Sequence, residues 1–186
     1  MRQRPVGFRP RIQSLALVAK APNERWATDM CRVWAGRDGW ATMALVIDCH
    51  SRKLLGRHLS RSSRSKTAES ALEQALIARF GMLGHIPRPF LLRSDNSLVF
   101  TSLCFTALVR SYGLRQEFIT PHSPEQNRPV ERVIRTLKEQ CVHRHRFESL
   151  QHASRVIADW IHFYNHQRPH QALNMRTPAE AFALAA

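Results

Sequence analysis

The chain has 186 residues, enough for one domain with a proper hydrophobic core. Lys and Arg number 28 against 14 Asp and Glu, a net charge of +14 with an isoelectric point near 11.2. That excess points to a polyanionic partner, nucleic acid ahead of its competitor, an anionic membrane surface. No apolar run approaches the length of a membrane span, and the run at 15–19 is too short for a signal peptide. The expectation is a cytoplasmic chain without a membrane partner.

Cys31, Cys49, Cys104 and Cys141 form no CxxC pair, so reduced, mostly buried thiols are expected in place of a zinc ribbon or a disulfide framework. The ten histidines are scattered and read as surface residues.

Residues 1–22 read as a basic, proline-bearing arm. From Trp26 the pattern changes. RWATDMCRVW and WATMALVIDCH flank the turn GRDG at 36–39, which predicts a hairpin. The nearly all-apolar run 43–47 marks its second strand as central. A third strand is predicted at 53–60 and a helix at 65–80, with Ala68, Ala71, Leu72, Ala75, Leu76 and Phe80 as its buried stripe. A short strand at 90–92, a helix at 101–112 closed by Gly113, and a strand at 115–120 follow. After the loop PHSPEQNRP, Val130, Val133, Ile134, Leu137 and Cys141 recur at helical spacing, with Pro129 in the first turn. A long amphipathic helix carries Leu150, Ala153, Ile157, Trp160, Ile161 and Tyr164 inward. A last short helix has Thr177 as N-cap and Glu180 as capping-box partner. This order predicts an α/β architecture, a mixed five-stranded sheet with helices on both faces. The expected organisation is the arm 1–22, a core 23–148 and a helical extension 149–186 of the same domain.

Three carboxylates stand out. Asp29 lies mid-strand, where a charge is costly unless it faces a site or pairs with a buried Arg. Asp95 follows a strand at its C-terminal end, where open α/β sheets bind ligands, although Asp-Asn-Ser is also ordinary turn chemistry. Glu131 sits in the first turn of its helix, with Arg135 and Lys138 on the same face. That face is either a solvated one with an i, i+4 ion pair or the wall of a site. Converging, the three acids would make an oxygen cage for Mg²⁺ or Mn²⁺. Two ions roughly 3.5–4 Å apart can activate an attacking oxygen and stabilise the leaving one in phosphodiester chemistry. Asp48 is either a turn former or a fourth acid.

The stretches WATD, VIDCHSRKLLGRHLS, RSDNSLVF, SPEQNRPVERVIRTLKEQ and YNHQRPHQALNMRTPAEAF resemble the catalytic core of DDE transposases of the retroviral-integrase type. More closely, they resemble the second-frame product of bacterial insertion-sequence transposases. Thirty-five residues separate Asp95 from Glu131, a spacing typical of that family. The resemblance covers residues 23–182. It implies an RNase H-like fold and assigns Asp29, Asp95 and Glu131 as a triad binding two metal ions. It makes Asp48 a builder of the strand end and implies DNA contacts for Arg135 and Lys138. Arg128 and Arg168 join them as expected DNA-binding residues, with His170 beside Arg168.

The implied function is metal-dependent cleavage and joining of DNA strands in transposition. Its alternatives are a truncated or degenerate product that binds DNA and regulates without catalysis, and a general RNase H-like nuclease. The implied partners are transposon ends, target DNA, further copies of the chain on DNA, and a helix-turn-helix companion, since residues 1–22 are too short to supply that module. Ser97, Arg128 and Asn174 stand where the family carries glycine. Local strain is expected at each, above all at Arg128, where it would shift the start of the Glu131 helix.

Overall fold

The computed structural model describes residues 19–84, 86, 88–120 and 124–185. All but the last four residues of the expected N-terminal arm lie outside this range. Five strands form one mixed sheet: β1 Arg25–Trp34, β2 Trp40–Asp48, β3 Leu54–Ser60, β4 Leu91–Ser94 and β5 Arg115–Phe118, in the order β3-β2-β1-β4-β5. β1 and β2 form the expected antiparallel hairpin, in register from Trp26↔Asp48 to Trp34↔Trp40. β4 runs parallel to both β1 and β5.

Helices cover both faces. α1 Ser65–Phe80 and α2 Leu103–Ser111 lie on one side, where Trp26, Ala44, Val46 and Leu92 meet Leu72, Leu76 and Phe105. α3 Arg128–Gln140 and α4 Leu150–His166 lie on the other, against Ala27, Cys31, Met43, Leu45 and Ile47. β2 is buried from Ala41 to Asp48, as its unbroken apolar run implies for a strand covered on both faces. The small α5 Pro178–Ala183 forms its capping box at Thr177 and Glu180. α4 is pinned to β3 by Asn165, whose amide both donates to and accepts from the Leu54 backbone at 2.9 Å.

Several boundaries differ from the sequence pattern, two of them for a polar reason. β4 runs on through Arg93 and Ser94, which are buried, because the Arg93 guanidinium finds Glu117 and the Gln126 carbonyl. Phe90, expected within that strand, instead packs against Trp26, ring centroids 4.6 Å apart. α2 begins at Leu103 because the Ser102 hydroxyl caps it, accepting from the Phe105 N–H. β5 ends at Phe118, two residues earlier than the pattern suggests.

Gly56 on β3 shows how closely α1 lies on the sheet. A Cβ there would come within 2.7 Å of the Ala75 nitrogen and closer still to the Ala71 carbonyl. Gly56→Ala is therefore expected to destabilise the protein by about 1–3 kcal/mol, read as a lower thermal midpoint. Gly84→Ala, with open space around the new methyl, is expected to melt like the wild type.

Candidate active site

Asp29 projects from β1 towards α3, on the same face as the buried Ala27 and Cys31. It is half-buried, and its Oδ1 accepts from the Met30 N–H at 2.7 Å. Among the described residues no Arg or Lys forms an ion pair with it, so the buried-arginine alternative does not hold. Burial is the largest cause pushing its carboxyl from the usual 3.8 up to about 6, with the nearby Asp95 and Glu131 charges adding to it. The Met30 N–H and Lys138 pull the other way.

Asp95 is placed by sheet register. Ala27 pairs with Arg93, so continuing the parallel strands by two residues sets Asp95 level with Asp29. Its Oδ1 accepts from the Ser97 N–H at 3.0 Å, and the neighbouring Asn96 amide donates to the Ile119 carbonyl at 2.8 Å. The turn chemistry visible in Asp-Asn-Ser is thus real, and it fixes the carboxylate at the end of β4.

Glu131 lies in the first turn of α3 and is exposed. Val130, Val133, Ile134 and Leu137 bury the opposite stripe against the sheet. The entry to α3 is held by Arg93, whose Nη1 donates to the Gln126 carbonyl at 2.7 Å. The Gln126 side chain in turn bonds both the N–H and the hydroxyl of Thr120. Among the described residues Glu131 has no ion pair, so the alternative reading of an i, i+4 pair with Arg135 does not hold.

Asp29 and Glu131 line one open cleft of about 580 Å³, together with Arg135 and Lys138. Asp95 stands outside that lining, near enough to raise the Asp29 pKa. Among the described residues no three His, Cys, Asp or Glu side chains are gathered tightly enough to hold a metal ion. The donor chemistry nonetheless fits a hard divalent cation. All three are carboxylates, Asp29 and Asp95 each keep Oδ2 without a hydrogen-bond partner among the described residues, and the crowding of like charge is what such a cation relieves.

Arg128 and Arg168 belong to a second, smaller cavity of about 210 Å³ on another side of α3. Arg52, Arg132 and His170 also line it. None of the four guanidinium groups has a carboxylate partner among the described residues. Arg168 lies over the Tyr164 ring at 5.9 Å, and its Nε donates to the Gln140 side chain at 3.3 Å. His170 is buried, which corrects the reading of the histidines as surface residues, and burial followed by Arg168 and Arg52 pushes its pKa down to about 4. Neutral, it faces the Arg168 Nη1 at 3.4 Å. Arg132 was legible as the i+4 neighbour of Arg128. Arg52 was not, because its place depends on the turn knotted by Asp48.

Asp48 is fully buried. Its Oδ1 accepts from the Ser51 N–H and hydroxyl, and its Oδ2 from the Asn23 N–H. It builds the strand end and leaves no oxygen facing the cleft. The thiols are all free, but Cys104 is exposed. The strain expected at Ser97 and Arg128 is absent, since neither has a positive φ, and Arg128 is simply the first residue of α3. Asn174 does adopt the left-handed conformation, φ 54°, which asparagine tolerates better than most residues.

The Asp29 environment has a measurable consequence. Folding raises this pKa, so the metal-free protein binds an extra proton near pH 5 and loses stability as pH rises from about 4 through 6. Asp29→Asn is expected to stabilise the metal-free protein at pH 7 by roughly 1–3 kcal/mol, and to leave it near wild-type stability at pH 3.5. Thermal melts at the two pH values check this.

The integrase core domain profile matches residues 19–124, and a second integrase core domain profile matches 112–178. The uncharacterized 39.2 kDa protein of insertion element IS476 from Xanthomonas euvesicatoria is 29% identical over 178 residues, covering 96% of this chain and 48% of that protein. The transposase of insertion sequence element IS904 from Lactococcus lactis is 26% identical over 174 residues, covering 92% of this chain and 66% of that protein. The chain thus spans about half to two-thirds of the length of these relatives. Its fold is similar to a chain of the simian T-cell lymphotropic virus intasome in complex with PP2A regulatory subunit B56 gamma (TM-score 0.72, 17% identity, 89% of this chain and 56% of that one). It is also similar to the HTLV-2 integrase catalytic core domain in complex with magnesium (TM-score 0.58, 16% identity, 88% and 98%). The sheet order, the helices on both faces and these likenesses identify an RNase H-like fold of the retroviral-integrase type. With more than half of its length matched by the family profile, and with bacterial insertion-sequence proteins as its relatives, the chain belongs to the integrase core domain family.

Proposed function

We propose that this chain is the catalytic core of an insertion-sequence transposase, cutting DNA at transposon ends and joining the freed 3′ ends to target DNA. The observation that carries the reading is the strand register that sets Asp95 level with Asp29, with Glu131 lining the Asp29 cleft beside the basic face of α3. Asp29, Asp95 and Glu131 would hold Mg²⁺ or Mn²⁺, two ions in all. Bound there, the ions would supply activation of the attacking oxygen and charge stabilisation at the leaving one.

The chain's own residues do the rest. The sheet register and the Asp95 turn hold two carboxylates level, and the anchored start of α3 presents the third. Arg135 and Lys138, on the Glu131 side of α3, receive the phosphates of the strand being cut. Arg128 and Arg168, joined by Arg52 and Arg132, offer guanidinium groups that have no carboxylate partner among the described residues to a further stretch of phosphate backbone. Residues 23–148 act as the core and 149–186 as its helical extension. In the cell the protein works in the bacterial cytoplasm as an oligomer on DNA. A helix-turn-helix module, fused or in trans, reads the end sequence.

Asp29→Asn, Asp95→Asn and Glu131→Gln are each expected to lower strand transfer by more than about a hundredfold while duplex binding stays close to wild type. Mg²⁺ should raise the melting midpoint of the wild type and of none of the three variants. Full activity in any of them would remove that residue from the site. Binding should also be steeply salt-dependent. Arg128→Ala with Arg168→Ala is expected to reduce the log–log salt slope by about 0.9 for each phosphate no longer neutralised, as is Arg135→Ala with Lys138→Ala. An unchanged slope would place that pair off the DNA.

A further inference from the structure

A third cavity, about 600 Å³, opens from the far end of the Asp29 cleft and shares Arg32, Lys138 and His143 with it. One wall is the outer edge of β1. β4 pairs with β1 only as far as Ala27, so on that side no described strand pairs with the rest of β1 up to Trp34. The other wall is the end of α3 and the short turn after it, which bring His143, His145 and Arg146. At the mouth stand Trp34 and Trp40, the last cross-strand pair of the hairpin, with ring centroids 5.4 Å apart. They are 52% and 55% exposed. The Arg32 guanidinium lies over the Trp40 ring at 5.6 Å.

We infer that Trp34 and Trp40 form a stacking platform for unpaired bases of a single DNA strand running along the cleft from the carboxylates. Two exposed indoles beside a row of cations combine what sequence-tolerant binding of single strands requires, aromatic faces for the bases and positive charge for the backbone. The platform is held ready. The Arg37 N–H donates to the Glu148 carbonyl at 3.2 Å, and Asp38 accepts from the Leu150 N–H at 2.7 Å, so the hairpin tip is tied to the start of α4. A pair serving only to close the hairpin needs neither the exposure nor the cations around it. An extended peptide could also add to the open β1 edge, but the cationic walls and the net charge of +14 favour a polyanion. This inference extends the reading of the cleft as the path of a DNA strand, yet it concerns binding and not cleavage.

The test is metal-free binding of the full chain to a roughly twelve-nucleotide oligothymidylate and to a duplex of equal length, at physiological salt. Trp26 and Trp160, the other two tryptophans, are buried, so quenching of indole fluorescence by the oligothymidylate reports the exposed pair. Quenching is expected, with Trp34→Ala and Trp40→Ala each weakening single-strand binding about tenfold. The Phe variants should lose much less, and the duplex affinity and salt slope should hold. Should an Ala variant fail to fold, wild-type quenching and the Phe variants decide. Absence of quenching at saturation, or unaltered single-strand affinity in folded Ala variants, overturns the inference. So does a loss of self-association by sedimentation with single-strand binding intact, which would make the pair a contact between copies. Stacking without strand transfer in the active-site assay would keep this inference and sink the proposed function; the reverse outcome would do the opposite.

Discussion

The buried guanidinium of Arg93 ties the site together. It sits at the end of β4, donates to Glu117 on β5 at 2.8 Å, and reaches the Gln126 carbonyl just before α3. Glu117 also accepts from Arg25 on β1 at 3.0 Å. One polar knot therefore joins three adjacent strands to the entry of the helix that bears Glu131. Burying such charge is costly unless its partners are well placed, and here the bonds link β1, β4 and the entry to α3, the elements that carry the three acids, with Glu117 on β5 as the shared acceptor. Asp95 lies two residues beyond Arg93, and Glu131 five beyond Gln126. Their relative placement depends on the same side chain.

α3 separates two kinds of work. Its apolar stripe holds it to the sheet. One polar flank presents Glu131, Arg135 and Lys138 to the Asp29 cleft, and another presents Arg128 and Arg132 to the cavity shared with Arg52 and Arg168. Basic side chains thus flank α3 on two sides, in the cleft with Asp29 and Glu131 and in the second cavity. Attraction for a phosphate backbone and the gathering of carboxylates can then be altered separately by substitution. The neutral His170 between Arg52 and Arg168 contributes no further repulsion to that pocket.

Much of this was legible in the residues. Alternation around GRDG gave the hairpin, helical spacing gave α1 and α3, and Thr177 with Glu180 gave the last cap. Asp29 announced itself as a charge in an apolar strand. What periodicity could not express were contacts made across the fold. Arg93 looks like a strand terminator until Glu117 and Gln126 are brought to it. Arg52 depends on the Asp48 knot, and His170 on burial beneath arginines distant in sequence. Missing glycines suggested strain at Ser97, Arg128 and Asn174, but strain is a property of φ, and of these three positions Asn174 alone has the left-handed value. Trp34 and Trp40 read as ordinary strand ends, since exposure and proximity to Arg146 are not written in the local pattern.

The carboxylates of Asp29, Asp95 and Glu131 come from three elements, and the proposed chemistry requires that they act on one site. A crystal soaked in Mn²⁺ tests this most directly, through the anomalous signal of the ion. Manganese density bridging Asp29 and Asp95, with Glu131 turned in to share it or a second ion, is the expected result. Manganese bound elsewhere, or held by Glu131 alone at the surface, would contradict it.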